Sequence, residues 1–107
     1  MDEDYLRDLF ASVGPITIRR MFGGQGIYCA DGIFAVVAFD RLYVKGDARS
    51  SPAYEAAGMQ RWGYENPKTG KVSMMPYWQV PDEALEDAEA MAPWADLAVQ
   101  TARRARK

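Results

Sequence analysis

Apolar and polar positions change their period several times along this chain, and each change marks a different element. Tyr5, Leu6, Leu9, Phe10 and Val13 share one stripe, with Asp2, Glu3, Arg7 and Asp8 off it. That spacing predicts a short amphipathic helix whose early acids suit the N-terminal dipole. Gly14-Pro15 ends it. Residues 16–21 alternate as a first strand, so Arg19 and Arg20 point to opposite faces. Gly23-Gly24-Gln25-Gly26 is too glycine-rich for a strand interior and predicts a tight corner. Asp31-Gly32 lies between two apolar segments and predicts a hairpin turn with both residues at positive φ. The apolar run 34–39 predicts a central strand buried on both faces.

Asp40-Arg41 predicts a tight turn into a strand over 42–45, with Leu42 and Val44 on one face and Arg41, Tyr43 and Lys45 on the other. Ser51 as N-cap, Pro52 behind it and Gly58 as a stop frame a short helix over 52–57. Residues 61–64 and 72–78 read as two more strands around the loop 66–70, with Pro76 at a strand end or a sheet edge. Leu85, Ala88, Ala92, Ala95, Val99 and Ala102 form a helical stripe interrupted by Pro93. The proline predicts a break near Met91-Ala92, with itself in the first turn of a final helix. The expected architecture is α+β: one domain over residues 1–107, a meandering antiparallel sheet packed by helices, in the order α-β-β-β-β-α-β-β-α(α).

Composition narrows the chemistry. The 107 residues are 49% hydrophobic and 26% charged, as in ordinary globular proteins. No apolar run approaches bilayer length, and Asp2-Glu3-Asp4 stands where a leader would be basic. A single cysteine, Cys29, allows no internal disulfide and fits a reducing cytoplasm, and its apolar neighbours predict a buried, inert thiol. The sequence has no histidine, which removes the usual general acid/base, metal ligand and partner of a nucleophile. Triad chemistry and histidine-bearing metal sites are excluded, so neither an enzyme nor a cofactor is expected. The net charge is −2, of which the last seven residues contribute +4, leaving −6 for the body. An acidic body is a poor broad grip on nucleic acid.

Each charged or aromatic cluster has a structural reading beside a functional one. The glycine stretch reads as a corner, since it lacks the spacing and the Lys-Ser/Thr of a phosphate loop. Asp82, Glu83, Glu86, Asp87 and Glu89 read as the solvated start of a helix. Arg103, Arg104, Arg106 and Lys107 are candidate phosphate contacts, weighed against a frayed C-terminal turn. Among Tyr43, Trp62, Tyr64, Tyr77 and Trp78 most should be core, with Tyr43, Tyr64 or Trp78 as candidates for a partner surface.

Arg19-Arg20-Met21-Phe22-Gly23-Gly24-x-Gly26-Ile27-Tyr28, then Asp31-Gly32-x-Phe34-Ala35 and Leu42-Tyr43-Val44-Lys45, resemble the N-terminal domain of the TfoX/Sxy competence regulators. Gly58, Met75-Pro76-Tyr77-Trp78-x-Val80-Pro81 and Trp94-Ala95-x-x-Ala98 extend the resemblance over nearly the whole chain, with Pro76 where the family usually has serine. The resemblance implies a two-layer, secretion-chaperone-like fold and a role in DNA-uptake gene regulation through a transcription-regulator protein. Full-length members carry a further helical domain, so this chain is expected to be a stand-alone module, cytoplasmic and off the membrane, with homodimerisation as one option. No catalytic residue carries over. The motif reading is architectural: Met21 and Phe22 anchor the first strand, and the glycines let the chain turn. Of Arg19 and Arg20, one is expected to pin a helix C-terminus or carboxylate and the other to meet a partner. Two alternatives stand beside the protein-partner reading. One is direct nucleic-acid binding through the tail with Arg19 and Arg20, and the other is a small ligand in an aromatic-lined pocket between sheet and helices.

Overall fold

The computed structural model describes residues 1–21 and 23–106, so expectations placed on Phe22 and Lys107 lie outside the described residues. Helix α1 (Glu3–Leu9) and a 3-10 turn (Ala11–Val13) lead into β1 (Thr17–Met21), β2 (Gly24–Cys29), β3 (Gly32–Ala38) and β4 (Arg41–Lys45). Helix α2 (Ser51–Ala56), β5 (Arg61–Glu65), β6 (Val72–Gln79), a 3-10 turn (Asp82–Leu85) and α3 (Ala88–Ala105) follow. The strands form one antiparallel six-stranded sheet in the order β1-β2-β3-β4-β6-β5. The fold is α+β, in the expected element order.

The main core lies between one face of the sheet and the helices. Leu6, Leu9 and Phe10 meet Phe34, Val37, Leu42 and Val44, and the Phe10 ring stands edge-on to Phe34 at 5.1 Å. Helix α3 contributes a buried line at Met91, Ala95, Ala98 and Ala102, whose small side chains let it lie close against the strands. Pro93 sits inside α3 rather than opening a new helix. Both Pro93 and Glu89, the residue whose carbonyl loses its N–H partner, are exposed, so water can satisfy that carbonyl. Burial on either side of the proline holds the helix together. The N-cap of α3 is Asp87, whose carboxylate accepts from the Ala90 N–H at 2.8 Å.

Two turns differ from expectation. Cys29 pairs with Gly32, so the β2–β3 loop is Ala30-Asp31, and of Asp31-Gly32 only Gly32 is left-handed, at φ 111°. The register slips here: Ile27 faces Ala35 and Tyr28 faces Ile33, leaving Phe34 as the bulged residue. Ala38 pairs with Arg41, so the next turn is Phe39-Asp40, and both residues are left-handed at φ 53° and 60°. Phe39 is therefore no strand residue; its ring is 74% exposed. Left-handed backbone costs a residue with a Cβ roughly 1–2 kcal/mol, least for Asn and Asp. Phe39→Asn with Asp40→Gly is expected to raise Tm by about 4–8 °C, that is by about 1 kcal/mol, in thermal unfolding followed by circular dichroism.

Candidate functional site

Antiparallel partners share a face, so the register sorts the strand residues into two sides. The side away from the helices carries Arg19, Gly26, Val36 and Tyr43 in one row, and Tyr28 with Ile33 and Lys45 with Tyr77 beside it. Val36, Tyr43 and Tyr77 form a second small core there, with Ile33, Ala38, Trp62 and Met75 packed around it. The Trp62 ring stacks on Tyr43 at 5.4 Å and lies 6.5 Å from Tyr77, while Phe39 meets it edge-on at 6.1 Å. Burial pushes the Tyr77 hydroxyl above its usual range, with a smaller push from Tyr28. The Arg19 guanidinium lies 5.4 Å from the Tyr28 ring centroid, a cation–π distance. Arg41 and Lys45 share this side through their pairing with Ala38 and Tyr77. Among the described strand residues of this face there is no carboxylate: Glu65 pairs with Val72 on the opposite side.

The motif residues divide accordingly. Arg19, Met21, Gly26, Tyr43 and Tyr77 come together on the uncovered face. Arg20 alternates to the other side and lines a hollow of about 830 Å³ with Met1 and Asp2. Neither arginine pairs with a carboxylate among the described residues, so the expected pin is replaced by the contact of Arg19 with Tyr28. Trp78 belongs to the helix-side core, because it pairs with Val44; it packs against Tyr54 at 5.6 Å, and Arg61 lies 4.7 Å from its ring. Alternation places Arg41 and Lys45 beside Tyr43, and Tyr28 and Met75 stand in the motif, yet none of these, nor Phe39, is among the candidate partner contacts read from the sequence, though all belong to the face. Their signal was parity with Tyr43 and Tyr77 once the register is known. The glycines each have a separate reason. Gly23 is left-handed at φ 77°, a Cβ on Gly24 would land on the Val37 carbonyl oxygen, and a Cβ on Gly26 would sit 2.8 Å from the Met21 sulfur.

The tail arginines are held, not frayed. Arg104 donates through Nε and Nη2 to both carboxylate oxygens of Asp47 at 2.8 and 2.9 Å. Arg103 donates to Asp31 at 3.1 Å, and Arg106 lies 3.8 Å from the same carboxylate. Asp47 also accepts from the Arg49 and Ser50 N–H groups at 3.0 Å, and the Ser50 hydroxyl meets Thr101 at 2.9 Å. Asp47, not Ser51, thus organises the start of α2, while Ser51 is its first residue. The Arg104 guanidinium, aided by the Ser50 and Arg49 N–H groups, holds the Asp47 carboxyl well below the usual carboxylate range. Its stabilising effect is complete above the unfolded-state value, about pH 4, and is lost as the pH falls below that. Asp47→Asn is expected to flatten the fall of the urea midpoint between about pH 4 and 2, and equal slopes in the two proteins would refute the link.

Cys29 is half-buried, its thiol directed at the Gly32 carbonyl at 3.7 Å. It borders a second open hollow of about 460 Å³ with Val13, Tyr28, Val99 and Arg103. Neither hollow is the aromatic-lined pocket expected between sheet and helices: among the described residues the first is lined by one ring, Phe39, and the second by one, Tyr28.

One antiparallel sheet with helices on a single side and an aromatic, cationic face on the other defines a two-layer α+β domain. The chain belongs to the TfoX N-terminal domain family, whose model matches residues 8–102. It is similar to the DNA transformation protein TfoX1 of Aliivibrio fischeri, with 28% identity over 78 residues, covering 73% of this chain and 36% of that protein. The chain thus spans about a third of the length of this curated relative.

Proposed function

We propose that this domain serves in regulating DNA transformation, acting on transcription by docking a protein partner on the uncovered sheet face. The observation that carries the reading is that face: rings, methionines and arginines gathered without a carboxylate, the composition of an interface core. Family membership and the name of the relative supply the regulatory context. The non-enzymatic part of the reading is supported by the charged groups whose titration is displaced most. Asp47 and Arg104 are spent on each other, locking α3 to the loop before α2. The tail arginines are likewise occupied, which disfavours the tail as a phosphate grip. Among the described residues no helix is long and apolar enough to cross a membrane, and a cytoplasmic site of action is part of the proposal.

The test is affinity purification from the native cell after nuclease treatment, with mass spectrometry, beside deletion of the coding sequence. A transcription regulator is expected to co-purify, and DNA-uptake transcripts and transformation frequency to change on deletion. No specific protein in the eluate, with unchanged transformation, would sink the reading.

A further inference from the structure

Resting on the protein-partner reading, we propose that the uncovered sheet face receives a short acidic segment of the partner, with apolar side chains between its carboxylates. Arg19, Arg41 and Lys45 flank the aromatic cluster, and among the described residues none has a carboxylate within ion-pair distance. The acids of the chain lie in α1, α2, the loops and the 82–96 region instead, and Glu65 of β5 is on the opposite side of the sheet. A partner that supplies carboxylates gains charge-assisted hydrogen bonds here, while a basic partner meets uncompensated repulsion.

Charge argues against a second copy of this chain: two copies face to face would oppose like charges. Six strands span about 24 Å across the sheet. A segment of about seven extended residues covers that 24 Å width. Nucleic acid would need a run of open ring faces for successive bases, yet the central Tyr43 and Tyr77 are only 6% and 8% exposed, sealed against each other and Trp62, and the exposed rings of this face are Phe39 and Tyr64. What the face presents is a shallow apolar floor with Phe39 at its rim. That ring, 74% exposed on a left-handed backbone and edge-on to Trp62, is open to an incoming segment.

Site-specific photocrosslinking in the native cell tests the proposal. Benzoylphenylalanine replaces Tyr64, exposed on this face, or Glu55, exposed on α2 as the control. Expected is a crosslink from position 64 to a partner peptide of net negative charge. Its yield should drop about tenfold in the triple variant Arg19→Glu, Arg41→Glu, Lys45→Glu, with Tm within about 3 °C of wild type. The triple glutamine variant removes the charges without adding repulsion. It is expected to drop the yield about threefold, and serves as the arbiter if the glutamate variant does not fold. A crosslink to a neutral or basic peptide, to nucleic acid or to a second copy overturns the proposal, as does a yield indifferent to the variants. A protein crosslinked only from position 55 overturns it too, and with it docking on the uncovered face, while a protein partner as such still stands. No protein from either position defeats that reading as well.

Discussion

Gly24→Ala is expected to cost about 3 kcal/mol or more and to lower Tm by roughly 12 °C or more, because the added methyl has nowhere to go. Gly24 closes the β1–β2 ladder opposite Met21, and the third strand approaches so near that a Cβ would fall on the Val37 carbonyl oxygen. That oxygen belongs to the backbone of a buried strand, so relief requires moving β3 itself and the core residues around Phe34. Its two companions in the motif should be milder. A Cβ at Gly26 meets the Met21 sulfur, which can swing away, and Gly23→Ala meets no atom within 4 Å and pays only for left-handed backbone, about 1 kcal/mol. Thermal unfolding of the three variants therefore ranks Gly24 well above the other two. A Gly24→Ala protein melting within about 3 °C of wild type would mean that β2 and β3 do not approach as described.

The motif glycines also show how far a sequence can be read. Their crowding announces a corner, and the period of the flanking residues gives β3, β4 and the helices. The identity of the face that stays uncovered follows from register, which local pattern does not encode. Met74-Met75-Pro76-Tyr77-Trp78 has no apolar alternation, so nothing in it tells that Tyr77 joins the outer cluster while Trp78 turns inward against Tyr54. An unbroken apolar run likewise hides the turn at Phe39, where hydrophobicity suggests a strand and only the pairing of Ala38 with Arg41 reveals the reversal. Arg104 has its partner 57 residues away at Asp47. A basic chain end looks solvated until that contact is seen. Pro93 misleads for the opposite reason: the local rule against it is sound, but burial of Met91, Ala95 and Ala98 outweighs a defect of about 3 kcal/mol on an exposed side.

Tyr54→Ala is the second large effect, expected at about 3–5 kcal/mol. Helix α2 is only six residues long and cannot stand without tertiary contacts. Tyr54 is its single fully buried side chain, with its ring 5.6 Å from Trp78 and 6.1 Å from Trp94. Its hydroxyl donates to the Lys45 carbonyl at 2.8 Å, and burial drives the pKa of that hydroxyl far above its usual range. The same ring helps fix Gly46, where a Cβ would come within 2.8 Å of Tyr54 and 2.5 Å of Trp78. Removing the ring thus empties a space that α2, α3 and the end of β4 share, and one short helix cannot collapse to fill it. Tyr54→Phe separates the two contributions: it keeps the packing and loses one hydrogen bond, about 1 kcal/mol. Urea unfolding of both variants should show the alanine protein at least twofold worse than the phenylalanine one. Equal losses would place the stabilisation in the hydroxyl and overturn the packing argument. The uncovered face lies across the sheet from this site, and Lys45 belongs to both. Tyr54→Ala should accordingly loosen the cationic rim, as faster amide hydrogen exchange at Lys45 and Gly46 than in Tyr54→Phe.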